Sequence, residues 1–188
     1  MSKLFCRFSS MSAGKTLQLL SVAHNYRERG MAVVIFTAKI DSRSGEGCVS
    51  SRIGVSASAR VFDPGTVFTR ELVGEVACVL VDESQFLLPE QVRQLHRLAN
   101  QQGGVPVMCF GLRTDFQGVP FPGAAMLLAL AEDIEEVKTI CSCGKRKATM
   151  NIRLGAGGDR VREGAQIEIG GNERYASVCA TCFYADGS

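Results

Sequence analysis

Short, almost unbroken apolar runs separated by amphipathic stretches set the rhythm of the first 138 residues. Leu4, Phe5, Cys6 and Phe8 read as a buried strand, and Thr16, Leu19, Leu20 and Ala23 recur behind it at helical spacing. Gly30 suits the end of that helix, and residues 32–36 form a continuous apolar strand. The polar, glycine-bearing stretch 39–58 reads as a mobile loop. Residues 78–81 are the next buried strand and run into Asp82-Glu83. Pro89 fits the first turn of a helix with Val92, Leu95, Leu98 and Ala99 on one face. Residues 105–110 predict a further strand, 123–131 a helix and 137–140 a last strand. Continuous apolar strands alternating with helices predict an α/β fold, a mostly parallel sheet covered by helices on both faces. In such sheets ligands bind beyond the carboxyl ends of the strands. Ser9, Asp82-Glu83 and Gly111 all fall there.

From about Thr139 the rhythm stops. Two cysteine pairs, the basic run Lys145-Arg146-Lys147 and six glycines between Gly155 and Gly171 replace it. The chain therefore divides into an α/β domain over 1–138 and a small metal-stapled domain over 139–188, the latter holding a long loop over 154–171. A loop of that length without secondary structure is functional or disordered. At 188 residues, with 46% hydrophobic and 21% charged, there is ample material for a core. The net charge of +2 is too mild for a nucleic-acid surface. No apolar run approaches a membrane span, and Met1-Ser2-Lys3 leads straight into a strand rather than a secretory signal. A cytoplasmic protein with neither membrane nor nucleic-acid partner is expected.

Ser9-Ser10-Met11-Ser12-Ala13-Gly14-Lys15-Thr16 carries the first chemistry. It ends in Gly-Lys-Thr between a strand and a helix, the context of a P-loop, although the pattern asks for glycine where Ser9 stands. A helix N-terminus offers free backbone N–H groups and partial positive charge, which together hold phosphate. Lys15 would reach the outer phosphates and the Thr16 hydroxyl would hold Mg2+. Asp82 closes an apolar strand downstream, where a carboxylate can support the same Mg2+, and Glu83 is left to take a proton. Read alone, the acidic pair could equally begin a solvated loop.

Eight cysteines divide by context. Cys6, Cys78 and Cys109 lie singly in apolar strands and read as small buried hydrophobes, and Cys48 sits in a polar loop. Cys141-x-Cys143 and Cys179-x-x-Cys182 offer four thiolates, which suit a closed, structural Zn2+ site. Four unrelated cysteines in a reduced protein are the competing reading. His24 and His96 fall on predicted helices as surface or packing residues, and the basic run at 145–147 as a solvated turn.

These motifs, together with Asp82-Glu83-Ser84-Gln85-Phe86, Gly111-Leu112-Arg113-Thr114-Asp115-Phe116 and Ile169-Gly170-Gly171-Asn172-Glu173-Arg174-Tyr175, resemble the zinc-containing cytosolic thymidine kinases. The likeness runs from Lys3 to about Tyr184, and Ser9 and the C-x-C pair are similar to a bacterial branch of that family. The resemblance implies a P-loop NTPase-like sheet and a zinc domain carrying a lasso-like loop. It implies transfer of the ATP γ-phosphate to the thymidine 5′-hydroxyl, a step of deoxynucleoside salvage. It carries phosphate binding to residues 9–16, metal support to Thr16 and Asp82, and the general base to Glu83, with Ser84 and Gln85 beside them. Arg43 matches a loop arginine that approaches the phosphates. Met11, Phe86, Leu112, Phe116 and Phe121 match a nucleoside pocket, although the three phenylalanines taken alone read as core aromatics. Tyr175 and the segment Gln166, Ile167, Glu168, Ile169 and Gly170 match the loop that closes over the base. A homotetramer and feedback inhibition by thymidine triphosphate are further implications. Two other classes compete: a P-loop ATPase in which Glu83 activates water, and a zinc ribbon binding nucleic acid. The enclosed pocket disfavours the first and the low charge the second.

Overall fold

The computed structural model describes residues 2–41, 45, 47–168, 170–171 and 173–185. Arg43 and Ile169, both expected at the site, lie outside the described residues. In chain order the first elements are β1 (Leu4–Ser9), α1 (Lys15–Glu28), β2 (Val33–Ala38), β3 (Cys48–Ser50), β4 (Ser56–Ser58) and β5 (Arg60–Phe62). Then follow α2 (Arg70–Val73), β6 (Cys78–Val81), α3 (Pro89–Asn100), β7 (Val107–Leu112), α4 (Pro122–Leu130) and β8 (Asp133–Glu136). The C-terminal part holds β9 (Met150–Leu154), β10 (Arg160–Val161), β11 (Tyr175–Val178) and α5 (Ala180–Tyr184).

Six strands form one parallel sheet in the order β5-β2-β6-β7-β1-β8. Strand alternation sends successive side chains to opposite faces, and here both faces are covered. Val79 and Val81 of β6 join Val92, Leu95 and Leu98 of α3 and Leu127 of α4 on one side. Cys78 and Leu80 of the same strand join Leu19, Leu20 and Ala23 of α1 on the other. Burial pushes the lone strand thiols up, Cys6 to about 11 and Cys78 to about 12, so they act as packing groups. A separate antiparallel sheet, β10-β9-β11, packs with Cys141, Ala148, Cys179 and Phe183 in its own small core.

Two expected elements are corrected. The last strand of the large sheet is β8 at Asp133–Glu136, not residues 137–140; it pairs with β1 at the sheet edge. Its polar composition is tolerated because Arg7 of β1 forms ion pairs with Asp133 (2.7 Å) and Glu135 (3.1 Å) on its exposed side. Stretch 39–58 is not all loop: β3 and β4 make a hairpin with Cys48 opposite Ser58. Loop 154–171 likewise contributes β10, paired with β9.

Candidate active site

The carboxyl ends of β1, β6 and β7 open into one cleft of about 640 Å³, roofed by the C-terminal loop. Residues 11–16, Asp82, Glu83, Gln85 and Phe86 line it, as do Leu112, Phe116 and Phe121. Gln166, Ile167, Glu168, Gly170 and Tyr175 line the roof side. Ser9, Ser10 and Ser84 are buried immediately behind these walls.

The loop after β1 turns on two left-handed positions, Ser12 (φ 61°) and Gly14 (φ 86°). At Gly14 it is conformation rather than space that favours glycine, since an added Cβ would meet nothing within 4 Å. Gly14 brings no side chain to cap α1, so the first-turn N–H groups keep the partial positive charge of a helix start. Ser9 explains its own presence. Its Oγ donates to Ser10 O (2.6 Å) and accepts from Lys15 Nζ (2.8 Å), and Ser10 O takes a second bond from that ammonium (2.9 Å). Lys15 is thus folded back on the loop. Ser10 Oγ is buried and has no hydrogen-bond partner among the described residues.

Asp82 is 4% exposed. Burial, then the neighbouring Glu83 carboxylate, pushes its pKa up from 3.8 to about 7, against the opposing help of the Thr16 hydroxyl. Thr16 Oγ1 donates to Asp82 Oδ2 at 2.9 Å, and the Glu83 N–H donates to Oδ1 at 3.0 Å. A hydroxyl and a buried carboxylate side by side, short of positive charge, are a donor set that suits Mg2+.

Glu83 occupies the left-handed region (φ 50°, ψ 39°), a strained position for a non-glycine residue at the point where β6 gives way to a single 3₁₀ turn. Gln85 fixes its side chain: Nε2 donates to Glu83 Oε2 (2.6 Å) while Oε1 accepts from the Leu112 N–H (3.0 Å). This bridge needs Gly111. A Cβ there would stand 2.5 Å from Ser84 Oγ and 2.8 Å from Gln85 Oε1. Phe86 and Phe121 meet edge to face at 5.9 Å and form an apolar wall.

Sequence reasoning missed the residue that organises the roof. Arg153, 3% exposed, donates to Ala165 O (2.9 Å), Gln166 O (3.3 Å) and Tyr175 OH (3.1 Å). Its guanidinium lies 3.9 Å over the Phe116 ring and 3.4 Å from Glu168. Tyr175 OH donates in turn to Glu168 O (2.7 Å), and Gln166 Nε2 to Asp115 Oδ2 (3.0 Å). Arg52, at the tip of the β3–β4 hairpin, was also missed; it reaches Ser12 Oγ at 2.6 Å and lines the cleft. The only sequence signal for Arg153 was a charged residue within an alternating strand.

The sulfurs of Cys141, Cys143, Cys179 and Cys182 lie within 4.8 Å of one another. Tetrahedral Zn–S bonds of about 2.3 Å place sulfurs about 3.8 Å apart, so the cluster could hold a metal ion and its four thiols suit zinc. Burial opposes ionisation of Cys141. The N–H groups of Cys143 and Cys179, aimed at its sulfur, outweigh that and bring its pKa down to about 6.

An uncapped helix start at one end of a cleft and a lidded apolar wall at the other define an α/β enzyme of the kinase class. Residues 2–183 match the family model described as thymidine kinase, and the chain belongs to the thymidine kinase family. It is 54% identical to a thymidine kinase of Chromobacterium violaceum, across 99% of this chain and 100% of that one. It is 55% identical to a thymidine kinase of Albidiferax ferrireducens (100% and 95%) and 54% identical to that of Ruegeria pomeroyi (95% and 92%).

Proposed function

We propose that this chain transfers the γ-phosphate of ATP to the 5′-hydroxyl of thymidine. The observation that carries the reading is a single cleft containing the Lys15–Thr16 loop, the oriented Glu83 carboxylate and an apolar, lidded recess. In this reading the backbone of residues 9–14 and Lys15 hold the phosphates, with Lys15 leaving Ser9 and Ser10 to do so. Arg52 adds positive charge at the Ser12 edge. Thr16 and Asp82 would hold Mg2+, which would supply charge neutralisation on the phosphates. Burial pushes the Asp82 carboxyl up, and a cation at this place would favour its ionised form.

Glu83 takes the proton of the 5′-hydroxyl as the oxygen attacks phosphorus and ADP leaves. Gln85 keeps that carboxylate aimed. Met11, Phe86, Leu112, Phe116 and Phe121 enclose the nucleoside, while main-chain groups of the lid from Gln166 to Gly170, with Tyr175, bond the edge of the base. The division of labour follows the chain, with 1–138 carrying the nucleotide and 139–188 carrying Zn2+ and the lid. Zinc at the four thiols would staple a segment whose own core is small.

The cytoplasm is the proposed compartment. All eight cysteines are free thiols, as a reducing environment requires, and no helix of the described residues is long and apolar enough to cross a membrane. A homotetramer inhibited by thymidine triphosphate extends the family reading, to be checked by light scattering and by inhibition kinetics. The deciding assay is ADP release from Mg·ATP with and without thymidine, with product analysis. Turnover that requires thymidine and yields the monophosphate is expected; hydrolysis indifferent to thymidine would mean that Glu83 activates water.

A further inference from the structure

Met11 belongs to the phosphate loop by its backbone, and its main chain is held from the other sheet. Its N–H donates to Asn151 Oδ1 at 2.8 Å, and its C=O accepts from Ser177 Oγ at 2.6 Å. Asn151 and Ser177 are directly opposed in the β9–β11 ladder, and Asn151 is 3% exposed. One step along the same face of that ladder, two residues on in β9, stands the pair Arg153 and Tyr175. That pair holds the lid through Ala165, Gln166 and Glu168. A single two-stranded ladder therefore grips the phosphate loop with one register pair and the lid with the next.

The Met11 N–H and C=O belong to the two peptide planes that flank its Cα, so neither plane can rotate without breaking the bond that holds it. Ser12, directly after it, is already committed to a left-handed conformation. The direction of the loop's N–H groups thus depends on the ladder. We infer that Asn151 and Ser177 are positioning residues that couple the lid to the phosphate loop, so that thymidine and ATP each bind more tightly in the presence of the other. This rests on the proposed function for the identity of the two ligands, and it adds residues and a linkage that the function does not require. Any coupling of this kind is reciprocal and operates through differential stabilisation of the closed arrangement.

The test measures the dissociation constant of thymidine by calorimetry, with and without Mg2+ and the non-hydrolysable donor β,γ-methylene-ATP. Wild type is compared with Asn151→Ala, Ser177→Ala and Ser177→Thr. The wild type should bind thymidine at least about fivefold more tightly with the analogue present. In Ser177→Ala and Asn151→Ala that ratio should fall towards one, and kcat/KM for ATP should fall roughly tenfold, the scale of one lost hydrogen bond. Ser177→Thr, which keeps the hydroxyl, should retain the ratio. Ser177 is only half-buried, so Ser177→Ala decides the matter if Asn151→Ala fails to fold. A wild-type ratio of one, or an unchanged ratio in Ser177→Ala, overturns the inference while thymidine kinase activity stands. No thymidine binding by the wild type overturns the function, and this inference with it.

Discussion

Arg153 is the residue whose loss should separate thymidine recognition from ATP recognition. Arg153→Met keeps a long apolar stem in β9 and deletes the guanidinium. That removes three hydrogen bonds from a charged donor, the approach to Glu168 and the stacking on Phe116. Charged-donor bonds contribute roughly 1.5–3 kcal/mol each. Their sum is not the cost, because Ala165 O and Gln166 O can turn to water once the lid opens. The loss is capped by the free energy of closing the lid, about 3 kcal/mol, the upper value for one hydrogen bond to a charged group. At about 1.4 kcal/mol per factor of ten, the KM for thymidine should rise roughly 100-fold. The KM for ATP should rise only by the coupling factor, about fivefold, since none of Arg153's partners among the described residues lies in the phosphate loop. Arg153→Lys, with charge but no planar fork, should fall between. The assay is initial rate against thymidine at saturating Mg·ATP, with thermal melting as a control. An unchanged thymidine KM, or equal rises in both KM values with a collapsed melt, would refute the view of Arg153 as the organiser of the lid.

Three further outcomes are expected. Glu83→Gln should retain ATP binding but lower kcat by ~10²–10⁴-fold, the general-base contribution; near-normal turnover removes Glu83 from that role. The raised pKa of Asp82 means that, without added magnesium, its contribution to stability is present below about pH 4 and is lost as pH rises through about 7. Asp82→Asn should therefore melt higher than wild type at about pH 8 and lose any stabilisation by Mg2+; identical pH profiles would contradict the buried, cation-starved carboxyl. Chelation should expose Cys141, Cys143, Cys179 and Cys182 to a thiol reagent while Cys6, Cys78 and Cys109 stay unreactive until unfolding. Equal labelling of both groups would count against a metal-held cluster.

What the sequence revealed and what it hid have a common physical cause. β2, β6 and β7 are largely buried on both faces and β1 is apolar apart from Arg7 and Ser9, so each reads as a strand without knowledge of its partner. β8 lies at the edge and is held by Arg7, so its Asp-Ile-Glu-Glu reads as loop until the neighbour is known. β9 is inverted. Met150, Ile152 and Leu154 are the half-buried face, whereas Asn151 and Arg153 point inward to partners 140 and 12–22 positions away. A polar residue facing the interior gives no signal until the group that satisfies it is placed. The residues assigned to the cleft from sequence were carried on short motifs after strands or on the family-like segment leading to Tyr175. Asn151, Arg153, Ser177 and Arg52 belong to no such motif, and three of them act on segments far away in the chain.

The placing of β1 has a consequence for how the molecule is made. β1 is made before the other strands described, yet it pairs with β7, about 100 residues later, and with β8 beyond that. At ~5–20 residues per second it waits several seconds as an unpartnered apolar strand. The Ser177 contact to Met11 spans 166 positions, so the loop after β1 gains that bond only after Ser177 has been made. A chain cut short before Asn151 would lack both of these holds on the phosphate loop. Synthesis of the C-terminal ladder thus brings the Asn151 and Ser177 bonds that the loop after β1 has waited for.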